Sequence, residues 1–214
     1  MTFAELQTEL FRRLDEDSVA PSFWSLTDIK RALNEGYAEL SDASEWYERA
    51  LMLPRLSNRT YYDLRAIVGT SFLSPRRCYN AVSSTWLQCV NLRELDNRTY
   101  QRWEVNTGEP AKMMQRGAWW FGVYPKPSED GDGNNLRLYC TAMPPPMVLD
   151  QDRPGFPREF HPGIVAYGLF DLLAQEAETA KAMQHYGEYS AIETALTRHV
   201  RSRIQMDRIN TLKG

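Results

Sequence analysis

Leu136-Arg-Leu-Tyr-Cys-Thr-Ala142 alternates without a break. Leu136, Leu138, Cys140 and Ala142 fall on one side of an extended chain, and Arg137, Tyr139 and Thr141 on the other. That is the pattern of a strand with one face on a core. Immediately upstream, Ala118-Trp-Trp-Phe-Gly-Val-Tyr124 has the same short period, with Trp119 and Phe121 on one side and Trp120 with Tyr124 on the other. Pro125 and the polar run Ser128-Glu-Asp-Gly-Asp-Gly-Asn-Asn135 separate the two, so they read as strands joined by a long hairpin loop. Fainter strand signals lie at 76–82, 86–92 and 111–115, and a short helical turn at about 92–102. Residues 46–157 therefore read as a β-rich, antiparallel domain that includes an extended linker bracketed by Pro144-Pro-Pro146 and Pro154-Gly-Phe-Pro157.

On both flanks the period lengthens to that of a helix. Thr2 with Glu5, and Ser25 with Asp28, are capping-box spacings. Behind them, Phe3, Leu6, Leu10 and Leu14, then Ile29, Leu33, Tyr37 and Leu40, recur at steps of three and four. After the linker, His161 reads as a helix N-cap, with Pro162 in the first turn and Ile164, Val165, Leu169, Leu172 and Leu173 on an apolar face. A turn is expected around Glu178-Thr179-Ala180. A last helix then runs from about 180 towards 209, with Ile192, Leu196, Val200 and Ile204 spaced by four. The expected fold is α+β: a helical bundle formed by residues 1–45 and 158–214, an inserted antiparallel β-domain, and a long C-terminal helix or arm.

The whole chain has 214 residues, 43% hydrophobic and 25% charged, which excludes wholesale disorder and rod-like repeats. The net charge of −3 argues against a protein whose main task is gripping nucleic acid. That total conceals a split. Residues 159–197 carry six acids and one base, whereas 198–214 carry five bases (Arg198, Arg201, Arg203, Arg208, Lys213) and one acid. Basic residues at a helix end complement its dipole; they also suit a protruding arm that docks on an acidic partner. No apolar run is long enough to span a membrane, the first residues lack a signal-peptide pattern, and three dispersed cysteines suggest a reducing compartment.

Catalytic constellations are not evident. His185 and His199 stand 14 residues apart on one helix, too far to share a metal. Asp130-Gly-Asp132-Gly-Asn134 opens like a calcium loop. It has Asn135 where the turn glycine belongs and Thr141 where the last carboxylate belongs, so a solvated hairpin loop is expected. Cys78 follows Arg76-Arg77, a pairing that can activate a thiol, but a structural cysteine in a strand is the favoured reading. Trp120, facing away from Phe121, marks a protein contact rather than a ligand platform. The reading is of a non-enzyme without cofactor or metal.

Several short landmarks occur in a telling order: Leu33-Asn34-Glu-Gly-Tyr37-Ala-Glu-Leu40, Trp46, Tyr62-Asp-Leu64 and Gly108-Glu-Pro110. Val123-Tyr124-Pro-Lys-Pro127 follows, then Asp150-Gln-Asp152-Arg-Pro154 and His161 before the long helices. In this order the chain resembles the head-to-tail adaptor (connector) proteins of tailed bacteriophages, over nearly its whole length. The resemblance implies a structural virion protein of the neck, assembled in the host cytoplasm. It implies a homo-oligomeric ring of about twelve copies beneath the portal protein that extends the channel for double-stranded DNA and carries tail or nozzle proteins, with no membrane and no cofactor. Carried onto this chain, Arg198, Arg201, Arg203, Arg208 and Lys213 would dock on the portal. Ile192, Leu196, Val200 and Ile204 would pack the last helix, and Trp120, Asp130 and Asp132 would face the tail or a neighbouring subunit. Two other readings are a closure or tail-tube connector protein of the same neck, and a tail-associated wall hydrolase.

Overall fold

A computed structural model of the chain describes residues 1–17, 23–65, 72–98, 103–131 and 135–211, with 72, 97, 98 and 204–211 as backbone only. Helices α1 (Phe3–Arg13) and α2 (Leu26–Ser44) come first. Strands β1 (Glu48–Leu53), β2 (Tyr61–Asp63), β3 (Phe72–Asn80), β4 (Thr85–Trp86) and β5 (Gln88–Cys89) follow, then the short helix α3 (Leu92–Arg98). Strands β6 (Thr107–Gly108), β7 (Lys112–Arg116), β8 (Trp120–Tyr124), β9 (Lys126–Pro127) and β10 (Leu136–Ala142) complete the middle, and α4 (His161–Gln175) and α5 (Thr179–Thr211) end the described chain. The fold is α+β, as the period changes imply. The chain forms two compact units, Met1–Tyr47 with Pro144–Gly214, and Glu48–Met143.

In the helical unit both capping boxes form. Thr2 and Ser25 side chains accept from the backbone of Glu5 and Asp28, whose carboxylates reach back to the cap N–H groups. Phe3, Leu6, Leu10, Ile29, Leu33, Leu40, Ile164, Leu169 and Leu196 share one core. The crossing of α2 and α4 is close. A Cβ on Gly36 would stand 2.9 Å from the Ile164 carbonyl oxygen and 3.1 Å from Tyr167 Cβ, so only glycine fits there.

The proline-bracketed linker is strapped onto this unit. Asn34 Oδ1 accepts from the Met147 N–H (2.7 Å), and its amide nitrogen donates to the Met147 carbonyl (3.0 Å). The Gly155 N–H donates to the Tyr37 hydroxyl (3.1 Å). Phe3 and Ala4 N–H groups, which have no partner inside α1, donate to the carbonyls of Asp152 and Asp150. Asp152 itself caps the N–H groups of Val148 and Leu149 at 2.7 and 2.8 Å.

In the β unit, one sheet has the order β1-β10-β3-β4 and is antiparallel throughout; a second has the order β2-β8-β7-β5. Leu51, Leu53, Cys78, Leu136 and Leu138 of the first sheet and Tyr62, Met113, Phe121 and Val123 of the second bury one another. The back of the second sheet is covered by α3 and a following 3₁₀ turn, where Val90, Leu95, Trp103 and Met114 form a satellite cluster.

Four sequence expectations need correction. First, β8 and β10 do not form a hairpin. β8 lies between β2 and β7, while β10 lies between β1 and β3. Pro125 lacks an N–H donor where the chain leaves the second sheet, and the chain then passes through β9, paired with β6, before it enters the first sheet as β10. Second, the pairing is not wholly antiparallel: β5–β7 and β6–β9 are short parallel pairs. Third, Thr141 is not on a solvated face. The β10–β3 register shifts on either side of it, and its buried hydroxyl bonds the Ser74 hydroxyl at 2.8 Å. Fourth, His161 caps no helix: α4 has no side-chain cap bond. Its buried imidazole lies 2.7 Å (Nδ1) from the Met1 amino nitrogen and 3.0 Å (Nε2) from the Phe156 carbonyl.

Candidate docking surfaces

The last helix is anchored and then runs on. Leu196 and Val200 are buried in the helical core, and Ile192 is half-buried against it, close to Gly163. His199 lies against the rings of Trp46 (6.1 Å between centroids, stacked) and Phe160 (5.6 Å). The backbone stays helical to Thr211, so α5 has 33 residues and a length of about 50 Å. Arg198, Arg201 and Arg203 are exposed. They do not form one stripe: Arg198 and Arg201 share a flank with Glu193, Thr194, Thr197 and Ser202, whereas the Arg203 guanidinium lies 5.8 Å from the Trp46 ring centre. Steps of three and five along a helix separate them in this way. The side chains of Ile204 and Arg208, and Lys213 altogether, lie outside the described residues, as does Asp132.

In the β unit Trp120 is 40% exposed at the start of β8, and the apolar side of that strand, Phe121 and Val123, is fully buried. Asp130 is not simply solvated. Its Oδ1 accepts the Ser57 N–H, and the next residue, Gly131, donates to the Arg55 carbonyl, so the loop is fastened to the chain after β1. Among the described residues no three His, Cys, Asp or Glu side chains converge as a metal site would require.

The candidate reactive thiol is a core group. Cys78 is fully buried, and burial pushes its pKa up to about 12, the opposite of activation. His185 faces Glu188 (3.5 Å), and neither it nor His199 meets a second histidine. No described helix is long and apolar enough to cross a membrane.

Sequence reasoning overlooked the outer face of the first sheet. Arg77 of β3 lies 5.1 Å from the Trp86 ring centre and 4.8 Å from that of Tyr139. Trp86 in turn meets Tyr79 (5.2 Å) and Tyr139 (5.7 Å). The alternation of β10 pointed Arg137 and Tyr139 outward, but the partners on β3 and β4 become visible only with the register.

Comparison with known proteins gives the family. The SU10 adaptor protein family model matches residues 1–211, and the chain belongs to that family, a structural family of phage adaptors. No curated protein matches the chain.

Proposed function

We propose that this phage adaptor forms a ring beneath the portal, extends the DNA channel and offers the platform on which the tail assembles. The observation that carries the reading is the anatomy of α5. Its last described buried residue is Val200, yet the helix continues eleven residues further, to Thr211, from a region that already exposes Arg198, Arg201 and Arg203. Arg198, Arg201 and Arg203 present three exposed cationic side chains within two turns of this helix. A partner surface of acidic chemistry would stabilise it. In this reading Arg198, Arg201, Arg203, Arg208 and Lys213 engage the portal. Ile192, Leu196, Val200 and Ile204 seat the helix, and Trp120, Asp130 and Asp132 lie on the tail side or against a neighbouring subunit.

Membership in the SU10 adaptor family supports association with portal and tail components of the virion neck. The test is to mix purified chain with its portal and examine the product by native mass spectrometry and electron microscopy. A ring of defined stoichiometry is expected; absence of any complex overturns the proposal.

A further inference from the structure

Two exposed faces of this chain have opposite chemistry. On the outer face of the first sheet, Arg77 is held between Trp86 and Tyr139, and Arg137 stands in register with Tyr79 one strand away. Among the described residues neither arginine has a carboxylate partner, and both are exposed. A guanidinium held between two rings and without a carboxylate partner is placed to grip one. Trp86 itself is 47% exposed.

The helical unit shows the counterpart. Tyr167 packs edge-on to Tyr189 at 5.2 Å, and Tyr186 lies 5.1 Å from Phe170, an aromatic ladder across α4 and α5 whose outer member, Tyr186, is 40% exposed. Glu39 of α2 and Glu193 of α5 lie near Tyr189, Glu193 at the edge of the Arg198/Arg201 flank, and neither carboxylate has an ion-pair partner among the described residues. After burial, these two carboxylates are the main cause that raises the Tyr189 pKa, the mark of a locally negative field.

We propose that the Arg77/Arg137/Trp86 face of one copy docks on the Glu39/Glu193/Tyr186 face of a second copy, a head-to-tail contact between identical chains. Charge complementarity selects the occupant: the acceptor the arginines lack and the donor the carboxylates lack are both on the same molecule. Aromatic and arginine side chains at the centre of such a patch are the residues that dominate interface energies. Because the two faces differ, the contact is heterologous and can propagate from copy to copy. This deepens the ring reading and rests on it for biological meaning only; the contact itself is testable on the isolated chain.

Sedimentation of the wild-type chain at low salt, from micromolar to about millimolar concentration, should show association that weakens as salt screens the charges. Arg77→Glu with Arg137→Glu, and separately Glu39→Arg with Glu193→Arg, should each weaken self-association by about tenfold or more. An equimolar mixture of the two variants should associate again, since each presents a face complementary to the other, and that recovery also shows that both are folded. A wild-type chain that stays monomeric throughout, variants that associate like wild type, or a mixture no better than its parts would overturn the proposal. Loss with the arginine variant alone would place the acidic contact elsewhere on the second copy and overturn the assigned Glu39/Glu193 face. A chain that still forms a complex with the portal while failing these tests keeps the adaptor role and loses only the assigned faces.

Discussion

The buried guanidinium of Arg55 meets the Glu109 carboxylate at 2.9 Å, and the same carboxylate accepts an N–H from Asn80 at 2.6 Å. Arg55 follows β1, Asn80 ends β3, and Glu109 precedes β7. One acid therefore joins an edge strand, a central strand and the second sheet through side chains alone. Asn80 adds a weaker bond to the Pro110 carbonyl (3.3 Å), and its side-chain oxygen accepts the Val82 N–H at 3.1 Å. Removing Glu109 leaves a buried cation unpaired, an outcome that costs far more than the pair contributes. Glu109→Ala should lower unfolding stability by about 2–3 kcal/mol, read from denaturant midpoints. Glu109→Gln, which retains an acceptor, should lose less; equal losses would assign the effect to packing.

Gly36→Ala tests the closest helix contact. The added methyl would press on the Ile164 carbonyl oxygen and Tyr167 Cβ, neither of which is the loose end of a side chain, so α2 and α4 must separate. A loss of about 1–3 kcal/mol is expected. Alanine would normally stabilise a helix interior relative to glycine by up to about 1 kcal/mol, so the sign of the change is itself diagnostic. Thermal melts decide it: a raised midpoint would mean that the crossing is looser than 2.9 Å implies.

The same glycine shows what was legible in the sequence. Helix spans, both capping boxes and the buried side of β10 follow from local periodicity and spacing, which a sequence displays directly. Asn34, Gly36 and Asp152 stood out only as parts of a resemblance, and Tyr37 also as one position of an apolar stripe. The strapping of the linker to α1 and α2 by Asn34, Tyr37 and Asp152, like the α2–α4 crossing at Gly36, depends on residues more than 100 positions apart, which no local pattern encodes. Sheet order failed for the same reason. The repeat of period two in β8 and β10 reports which face is buried, not which strand is adjacent, and β1 escaped notice because only Leu51 and Leu53 of its six residues are buried. The basic arm was visible as composition, but the Arg77 platform was not, since it is assembled from β3, β4 and β10 by register.

His161 should make stability depend on pH. A carbonyl can only accept, so the imidazole N–H sits on Nε2 towards Phe156, and Nδ1 accepts from the Met1 amine. Burial lowers its pKa from the ordinary 6.5, and the neighbouring amine adds to this. The unfolded state therefore binds the proton more readily than the folded one. This contribution is complete above about pH 6.5 and declines as pH falls below it towards the folded pKa. His161→Gln, which can offer one donor and one acceptor, should flatten the melting midpoint between about pH 5 and 6.5. An unchanged slope would assign the dependence elsewhere. Glu9 acts in a separate, lower window. Its bonds to Arg12 and Arg13 hold its pKa at about 2, so what it contributes is complete above the ordinary 4.5 and is lost progressively as pH falls from there to about 2.

On α5, stability and docking should separate residue by residue. Leu196 is fully enclosed in the helical core, and its truncation to alanine should cost about 2–5 kcal/mol through lost burial and the cavity left behind. Arg198 and Arg201 are exposed on one flank, so Arg198→Glu with Arg201→Glu should shift stability by less than about 0.5 kcal/mol. The same pair should abolish binding to the portal, measured by co-sedimentation at low salt, if this flank meets acidic residues there. Arg203, on another side of the helix and over Trp46, should matter less for docking and more for how the helix is held. Equal effects of all three on portal binding would point to a diffuse charge attraction. No effect of the Arg198/Arg201 pair would remove this flank from the docking surface.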